Sequence, residues 1–298
     1  MSEITRRSFL AVSAVASGYS MQRFASAAEN IPGFDQTKTD YDATQTWKPF
    51  SDRKVRVGIV GHGVCQFGLQ FDLQNHPNVE LVAVSDLYPD RCADMAKQAN
   101  CAKTYPSLEE MVKDDSIEAI FCATDAPSHA KHAILCMEHG KHVATAVPVF
   151  YGDIEDAERL LECCKKNPGL VYAMFETSTF HEACHAMRQI YRSGGFGKMV
   201  YSEGEYYHYM PTPIASFRDW RVGLPPQWYP THANAYFVCV TGGSFTEVSC
   251  QGMPSLVGHL KAENNRYRNP FGTEIALLRT SEGGMARMAD SWDTPGYE

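Results

Sequence analysis

The sequence predicts an α/β protein of two domains: a parallel sheet covered by helices on both faces, then an α/β domain built on an open, largely antiparallel sheet. Three observations carry this. Between residues 55 and 176 short apolar runs alternate with helical patterns, the signature of strands buried on both faces and joined by right-handed crossovers. Beyond 176 the strand signals lengthen and alternate apolar with polar, as a sheet with one solvent face requires. A length of 298 residues is enough for about two cores.

Taken in order, the chain opens with Arg6 and Arg7, a mostly apolar stretch from Phe9 to Met21, and small residues Ala25-Ser26-Ala27 suited to cleavage. This resembles the twin-arginine export signal, so residues 1–27 are expected to be a signal peptide and the protein periplasmic, exported already folded. Residues 28–54, polar with Pro32, Gly33 and Pro49, read as a linker or arm. Strands are expected in VRVGIV (55–60), VELVAVSDL (79–87), IEAIFCAT (117–124), HVATAV (142–147) and LVYAMFE (170–176). Helices between them include SHAKHAILCMEHG and DIEDAERLLECCKKN, whose apolar residues recur at three and four. This bounds a first domain at 55–175. The second, 176–298, holds a helix in HEACHAMRQIYRSGG, a strand in MVYSEGEYYHYM, a Pro-rich loop and a helix from about residue 230. Strands follow in TEVSCQ, TEIALLRTS and GMARMADSW, with Gly283-Gly284 as a hairpin turn. The sequence stops at Glu298 directly after a strand signal, from which an incomplete C-terminus is expected.

Composition narrows the partners. With 44% hydrophobic and 21% charged residues the chain is globular, and a net charge of -8 gives no footprint for nucleic acid. The Phe9–Met21 stretch is too short for a membrane span. Ten cysteines are scattered without a C-x-x-C pair, so few disulfides are expected. HEACH (181–185) matches the H-E-x-x-H zinc pattern, but no third ligand is evident and no metal is expected.

GIVGHGVCQFG follows a strand and opens a helix, the context of a dinucleotide site. Gly61 permits a tight turn, Gly63 lets backbone amides approach a pyrophosphate, and the helix start offers N–H groups and a positive dipole end. Gln66 stands where a third glycine is usual, with Gly68 two residues on. Asp86 ends the second strand, 23 positions after Gly63, where a carboxylate binds ribose hydroxyls and repels a 2′-phosphate. The expected cofactor is therefore NAD.

The stretch ATDAPSHAKHAILCMEHGKHVATAVP is similar to the Gfo/Idh/MocA family, a Rossmann domain followed by an open-sheet domain acting mostly on sugars. The resemblance runs from about Val55 to the end of the chain. It implies cofactor contacts from Val64 and Cys65 in the glycine turn, from Thr124 and His129 beside the nicotinamide, and from Ala146, Val147 and Thr177. It also implies a homo-oligomer. His132, His139 and His142 read as local hydrogen-bonding groups. Family dehydrogenases carry Glu-Lys-Pro where this chain has Ala146-Val147-Pro148, and Val147 cannot transfer a proton.

Two later stretches offer replacements. Tyr206 and His208 in EGEYYHY are two apart on a strand and share a face, while Tyr229 and His232 in WYPTH share nearly one side of a helix start. These four can give and take protons near neutral pH. Both stretches resemble the NAD-dependent glycosidase branch of the family, the α-N-acetylgalactosaminidase type. The match is carried by Glu203, Gly204, Tyr206 and His208 and by the run Tyr229 to His232. That branch has Glu-Val-Pro at Ala146-Val147-Pro148, so this chain shares the missing lysine but lacks the glutamate. The resemblance implies a carbohydrate substrate contacted by Tyr206, Arg221, Tyr229, Thr231 and His232. Trp220 and Trp228 either stack on a sugar or anchor their loop. The implied chemistry is redox-neutral: hydride leaves C3 of a glycoside, Tyr229 or His232 removes the C2 proton, the C1 substituent leaves, water adds and hydride returns. Net sugar oxidation and a non-catalytic sugar-binding protein remain alternatives.

Overall fold

The computed structural model describes residues 51–63 and 65–295. The expected signal peptide, all but the end of the expected arm, Val64 and residues 296–298 lie outside the described residues.

Six strands form one parallel sheet: β1 (Val55–Val60), β2 (Val79–Ser85), β3 (Thr104–Tyr105), β4 (Ala119–Cys122), β5 (His142–Thr145) and β6 (Tyr172–Met174), in the order β3-β2-β1-β4-β5-β6. Helices α1 (Phe67–Gln70), α2 (Pro89–Gln98), α3 (Leu108–Met111), α4 (His129–Glu138) and α5 (Ile154–Lys166) connect them. The inner parts of β1, β2 and β4 are apolar because both faces are covered, while Arg56 and Glu80 stand exposed near the strand starts. Ile59 and Phe121 point to one face, where they pack with Val84 and Met95. Phe71, Phe121 and Phe175 close a ring trio there, with centroids 5.4, 5.0 and 5.1 Å apart. Val60, Ile120 and Cys122 point the other way, onto Met111, Ala133, Cys136 and Leu160. Helix α5 has its ends set by local signals. The Asp153 carboxylate accepts from the Glu155 amide at its start, and Lys165 and Lys166 close its last turn, matching the helix dipole.

Between β1 and β4 the strand order reverses, which opens a crevice at their carboxyl ends. β3, only two residues long, carries no strand signal in the sequence.

The second sheet has the order β7-β10-β9-β8, from β7 (Tyr201–Tyr207), β8 (Phe245–Pro254), β9 (Phe271–Thr280) and β10 (Met285–Ser291). β9 is antiparallel to both neighbours, but β7 runs parallel to β10, so the sheet is mixed. The Gly283-Gly284 turn joins β9 to β10 as expected, with the Gly283 amide donating to the Thr280 carbonyl at 2.9 Å. Helix α6 (Glu182–Arg192) packs on helix α7 (Thr231–Thr241). In turn α7 covers one sheet face through Ala233, Phe237, Ala276, Leu278, Ala286 and Met288. The other face leaves Tyr201, Leu277 and Met285 exposed. None of the ten cysteines forms a disulfide. Among the described residues no helix is long and apolar enough to cross a membrane.

Glu274 on β9 stands directly opposite Asp290 on β10. The turn at Pro226–Trp228 covers the pair: the Gln227 amide donates to Glu274 Oε2 at 2.7 Å and Gln227 Nε2 to Asp290 Oδ2 at 2.8 Å. Asp290 is 0% exposed. Burial and the facing Glu274 push its carboxyl well above the usual range, and burial raises Glu274 as well. An acid whose value rises on folding stabilises fully below its unfolded value of about 4, and that stability is lost as pH climbs through its folded value. Asp290→Asn keeps an acceptor for Gln227 and abolishes the titration. The melting temperature of the variant minus that of the wild type should therefore grow between about pH 5 and about pH 8. A difference independent of pH would place Asp290 in the ordinary carboxyl range.

Candidate active site

The turn after β1 lies in the crevice. Gly61 has φ +93°, and a Cβ there would come within 2.5 Å of the Ala123 carbonyl oxygen, so only glycine lets the turn cross the end of β4. The third-glycine function has moved to Gly68, where a Cβ would meet Ile59 Cγ2 at 2.7 Å. Gln66 opens α1 in the left-handed region at φ 53°. Because α1 is a single turn, it supplies little of the dipole that the sequence pattern led one to expect. Asp86 accepts from the His62 amide at 2.8 Å and the Tyr88 amide at 2.9 Å, which ties the glycine turn to the end of β2.

Gly61, His62, Asp86 and Tyr88 line a cavity of about 310 Å³, within the usual range for a small-molecule site. Its walls include Gly61, Gly63, Cys65, Asp86, Thr124, His129, Ala146, Val147, Arg221 and Tyr229. The cavity fits a dinucleotide on two observations. An added Cβ at Gly63 would meet nothing within 4 Å, so the backbone there is open to close approach. His62 Nδ1 is buried with no protein partner, while its Nε2 meets Asp94 Oδ2 at 3.0 Å. His129 lies under the cavity, with Nδ1 2.8 Å from the Pro148 carbonyl and Nε2 3.0 Å from that of Thr124. Burial pushes its imidazole below the ordinary range, which those carbonyls only partly offset. The Thr124 hydroxyl meets His132 Nδ1 at 2.9 Å, so His132, read from the sequence as a local group, also lines the cavity.

Beside the cavity lies an aromatic cluster of Val147, Trp220, Leu224, Tyr229 and Trp292, with Tyr206 packed against it. Tyr206 and His232 have ring centroids 4.3 Å apart, and Tyr229 lies 5.5 Å from His232 and 6.2 Å from Tyr206. Tyr206 shares a 3.0 Å hydrogen bond between its hydroxyl and His208 Nδ1. The four groups thus meet because α7 lies directly on β7. A Cβ at Gly204 would fall 2.0 Å from the Ala233 carbonyl oxygen, next in sequence to His232.

One member of the site gave no sequence signal. Glu176, 4% exposed, sits 2.7 Å from His232 Nδ1 and also accepts from the Ser178 amide at 2.8 Å. Burial alone would raise its carboxyl, but the interaction with His232 and the hydrogen bond from the Ser178 amide hold it below the usual range. An ionised Glu176 accepts a hydrogen bond from His232 Nδ1–H, which selects the tautomer whose lone pair is on Nε2. Tyr229 is raised by burial, with Arg221 opposing only in part, so its hydroxyl is protonated at neutral pH. The Arg221 guanidinium lies 4.3 Å from the Trp220 ring centroid and 5.7 Å from that of Tyr229.

The structure therefore divides the expected residues into two adjoining groups. Gly61, Gly63, Cys65, Asp86, Thr124, His129, Ala146 and Val147 line the cavity, as do Arg221 and Tyr229. Tyr206, His208 and His232 stand behind Tyr229 in the aromatic cluster. Thr231 begins α7, and Thr177 begins the three-ten turn that follows Glu176. Val64 is outside the described residues. His181 of the H-E-x-x-H match precedes α6 and lies 3.5 Å from the Tyr236 hydroxyl, and among the described residues no group of three His, Cys, Asp or Glu could hold a metal.

Residues 55–175 match the family described as "Oxidoreductase family, NAD-binding Rossmann fold" (GFO_IDH_MocA). A protein of Bacteroides fragilis named glycosyl hydrolase family 109 protein 1 is 33% identical over 169 residues, covering 52% of this chain and 35% of that protein. Trans-1,2-dihydrobenzene-1,2-diol dehydrogenase of Mus musculus is 29% identical over 154 residues, 51% of this chain and 46% of that one. The chain thus spans between about a third and a half of these relatives. Scyllo-inositol dehydrogenase from Lactobacillus casei, solved with bound NAD(H) and scyllo-inositol, shares the fold at TM-score 0.67 and 18% identity, over 83% of this chain and 72% of that one.

The clearance at Gly204 is directly testable. Gly204→Ala should cost about 1–3 kcal/mol, read as a lower urea midpoint, because α7 must lift from β7. Gly169→Ala, where a Cβ would meet nothing, should stay within about 0.5 kcal/mol of the wild type. Equal midpoints for the two variants would show that α7 yields without cost.

Proposed function

Residues 55–175 of this chain belong to the Gfo/Idh/MocA oxidoreductase family, and from that premise we propose that the protein acts on a carbohydrate with a bound NAD, cleaving a glycoside without net oxidation. The observation that carries this reading is the site's titratable set. Val147 itself brings no ionisable group to the cavity wall, and the candidate proton-transferring side chains cluster beside it: Tyr206 on β7, His208 just after it, Tyr229 just before α7 and His232 on α7. NAD would supply a reversible hydride acceptor for C3 of the sugar, leaving a ketone there for the length of the cycle.

The ketone makes the C2 proton acidic, and His232 Nε2, freed by the Nδ1 bond to Glu176, is the base that takes it. Glu176 then faces an imidazolium, whose charge it stabilises. As the C1–O bond breaks, the leaving oxygen takes a proton from Tyr229, whose hydroxyl burial keeps protonated. Arg221, stacked over Trp220 and Tyr229, holds the sugar oxygens as a planar donor. The Tyr206–His208 pair takes the C3 hydroxyl proton as the ketone forms and returns it to the C3 oxygen when the hydride comes back. Water adds across the resulting double bond, and the hydride returns. The glycosyl hydrolase name of one relative supports this reading. The dehydrogenase names of others favour a second one, net oxidation of a carbohydrate hydroxyl coupled to a carbonyl substrate. Export by the twin-arginine signal fits either, since a protein folded around its cofactor needs no free NAD outside the cytoplasm.

The test uses purified protein with no NAD added. Cleavage of aryl glycosides under those conditions is expected, and turnover only when a second carbonyl substrate is supplied would establish the oxidoreductase instead. His232→Ala should lower kcat by roughly 10²- to 10⁴-fold, and Glu176→Gln by about tenfold or more, with bound nucleotide retained in both. Unchanged cleavage by His232→Ala would remove His232 from the mechanism.

A further inference from the structure

The cofactor cavity has a wall that lies outside the dinucleotide-binding half of the chain. Facing the glycine turn and Asp86, residues Ser216, Phe217 and Arg218 of the second half also line it. The rings of Phe217 and Tyr88 meet edge to face with centroids 6.5 Å apart, which bridges the two halves. A guanidinium covers a face of each ring: Arg91 lies 4.5 Å from the Tyr88 centroid and Arg218 lies 4.9 Å from that of Phe217. Tyr88 is 44% exposed, so the bridge stands at the solvent edge of the cavity.

The segment that presents Phe217 is held under strain. Arg218 and Asp219 take φ 51° and 53°, two successive non-glycine residues in the left-handed region. The turn is fixed from several sides. The Asp219 amide donates to the Ser216 carbonyl at 3.1 Å and the Arg221 amide to Ser216 Oγ at 3.2 Å. Arg266 Nη1 donates to the Arg218 carbonyl at 3.0 Å. Strain that the surroundings overrule in this way serves to place a side chain, and here it places Phe217 against Tyr88. The contact between the two rings is small and exposed, so it can open without unfolding either half.

We infer that Ser216–Arg218 is a clasp that closes on Tyr88 and Arg91 over the adenosine end of a bound dinucleotide and sets the rate at which that ligand leaves. The Asp86 end is the adenosine end because a carboxylate at the close of the second strand binds that ribose. The inference rests on the reading that a dinucleotide occupies this cavity. It explains how a cofactor could be retained through repeated cycles without a covalent link.

Release is measured on the full-length protein loaded with NADH, by the fluorescence change on mixing with excess NAD. Phe217→Ala and Tyr88→Ala are each expected to speed release roughly tenfold or more, with little change in the association rate. Because they break one shared contact, the double variant should release no faster than the faster single variant. Phe217→Tyr, which keeps the ring, should release like the wild type. Thermal melts followed by circular dichroism separate loss of the clasp from unfolding, and Tyr88→Ala tests it from the other side if Phe217→Ala does not fold. Unchanged release by the folded alanine variants, or effects that multiply in the double variant, would overturn the clasp alone. A wild type that binds no NADH would overturn the clasp and the cofactor reading together.

Discussion

The seating of α7 on β7 at Gly204 is the constraint from which the rest of the site follows. With the Ala233 carbonyl pressed where any side chain would stand, the start of the helix is held at backbone contact with the strand. That distance puts the His232 ring 4.3 Å from that of Tyr206, tilted by 46°, and brings Tyr229 into the same cluster. A bulkier residue at 204 would separate the histidine from its strand partners while leaving both elements intact. Gly204 therefore works as a spacer whose effect is felt at its sequence neighbour Tyr206, two residues on and facing the same way.

A second consequence concerns where charge can reside. Val147 belongs both to the cavity wall and to the apolar cluster of Trp220, Leu224 and Trp292, so an ionised group at 147 would face a wholly apolar inner side. The titratable groups are displaced to the far side of Tyr229, where Glu176 is a buried carboxylate with a partner to stabilise it. Burial thus separates two roles: it keeps the Tyr229 hydroxyl protonated, while the Glu176 bond leaves His232 with a lone pair on Nε2. Acid and base fall in the order that a phenol and an imidazole ordinarily take, and burial reinforces that order at Tyr229.

Much of this was legible in the sequence, for local reasons. β1 spans the residues its apolar run indicated, Asp86 closes β2, and the displaced Gly68 was visible as a glycine two places late. What stayed hidden depends on contacts between residues far apart in the chain. Glu176 meets His232 across 56 positions, and the Tyr88–Phe217 bridge joins two loops with no shared motif. The Glu274–Asp290 pair follows from the β9–β10 register, which the Gly283-Gly284 signal alone does not specify because it marks a turn without fixing its length. The one-turn length of α1 reflects another limit, because the positive φ of Gln66 and Asp72 interrupts a pattern that reads as continuous helix.

The loop from Ser216 to Tyr229 joins these pieces into one element. It begins at the Phe217 contact with Tyr88, passes Trp220 and Arg221, and ends at the phenol that lines the cavity. Its middle is braced by hydroxyls of Tyr151 and Tyr267, both donating to the Trp220 carbonyl at 3.1 and 2.7 Å. Its end is braced by Gln227, anchored to Glu274 and Asp290. A shift at any brace would move the Phe217–Tyr88 contact and the Tyr229 phenol together. Under the proposed mechanism, retention of the dinucleotide and placement of the proton donor are therefore both assigned to this one loop.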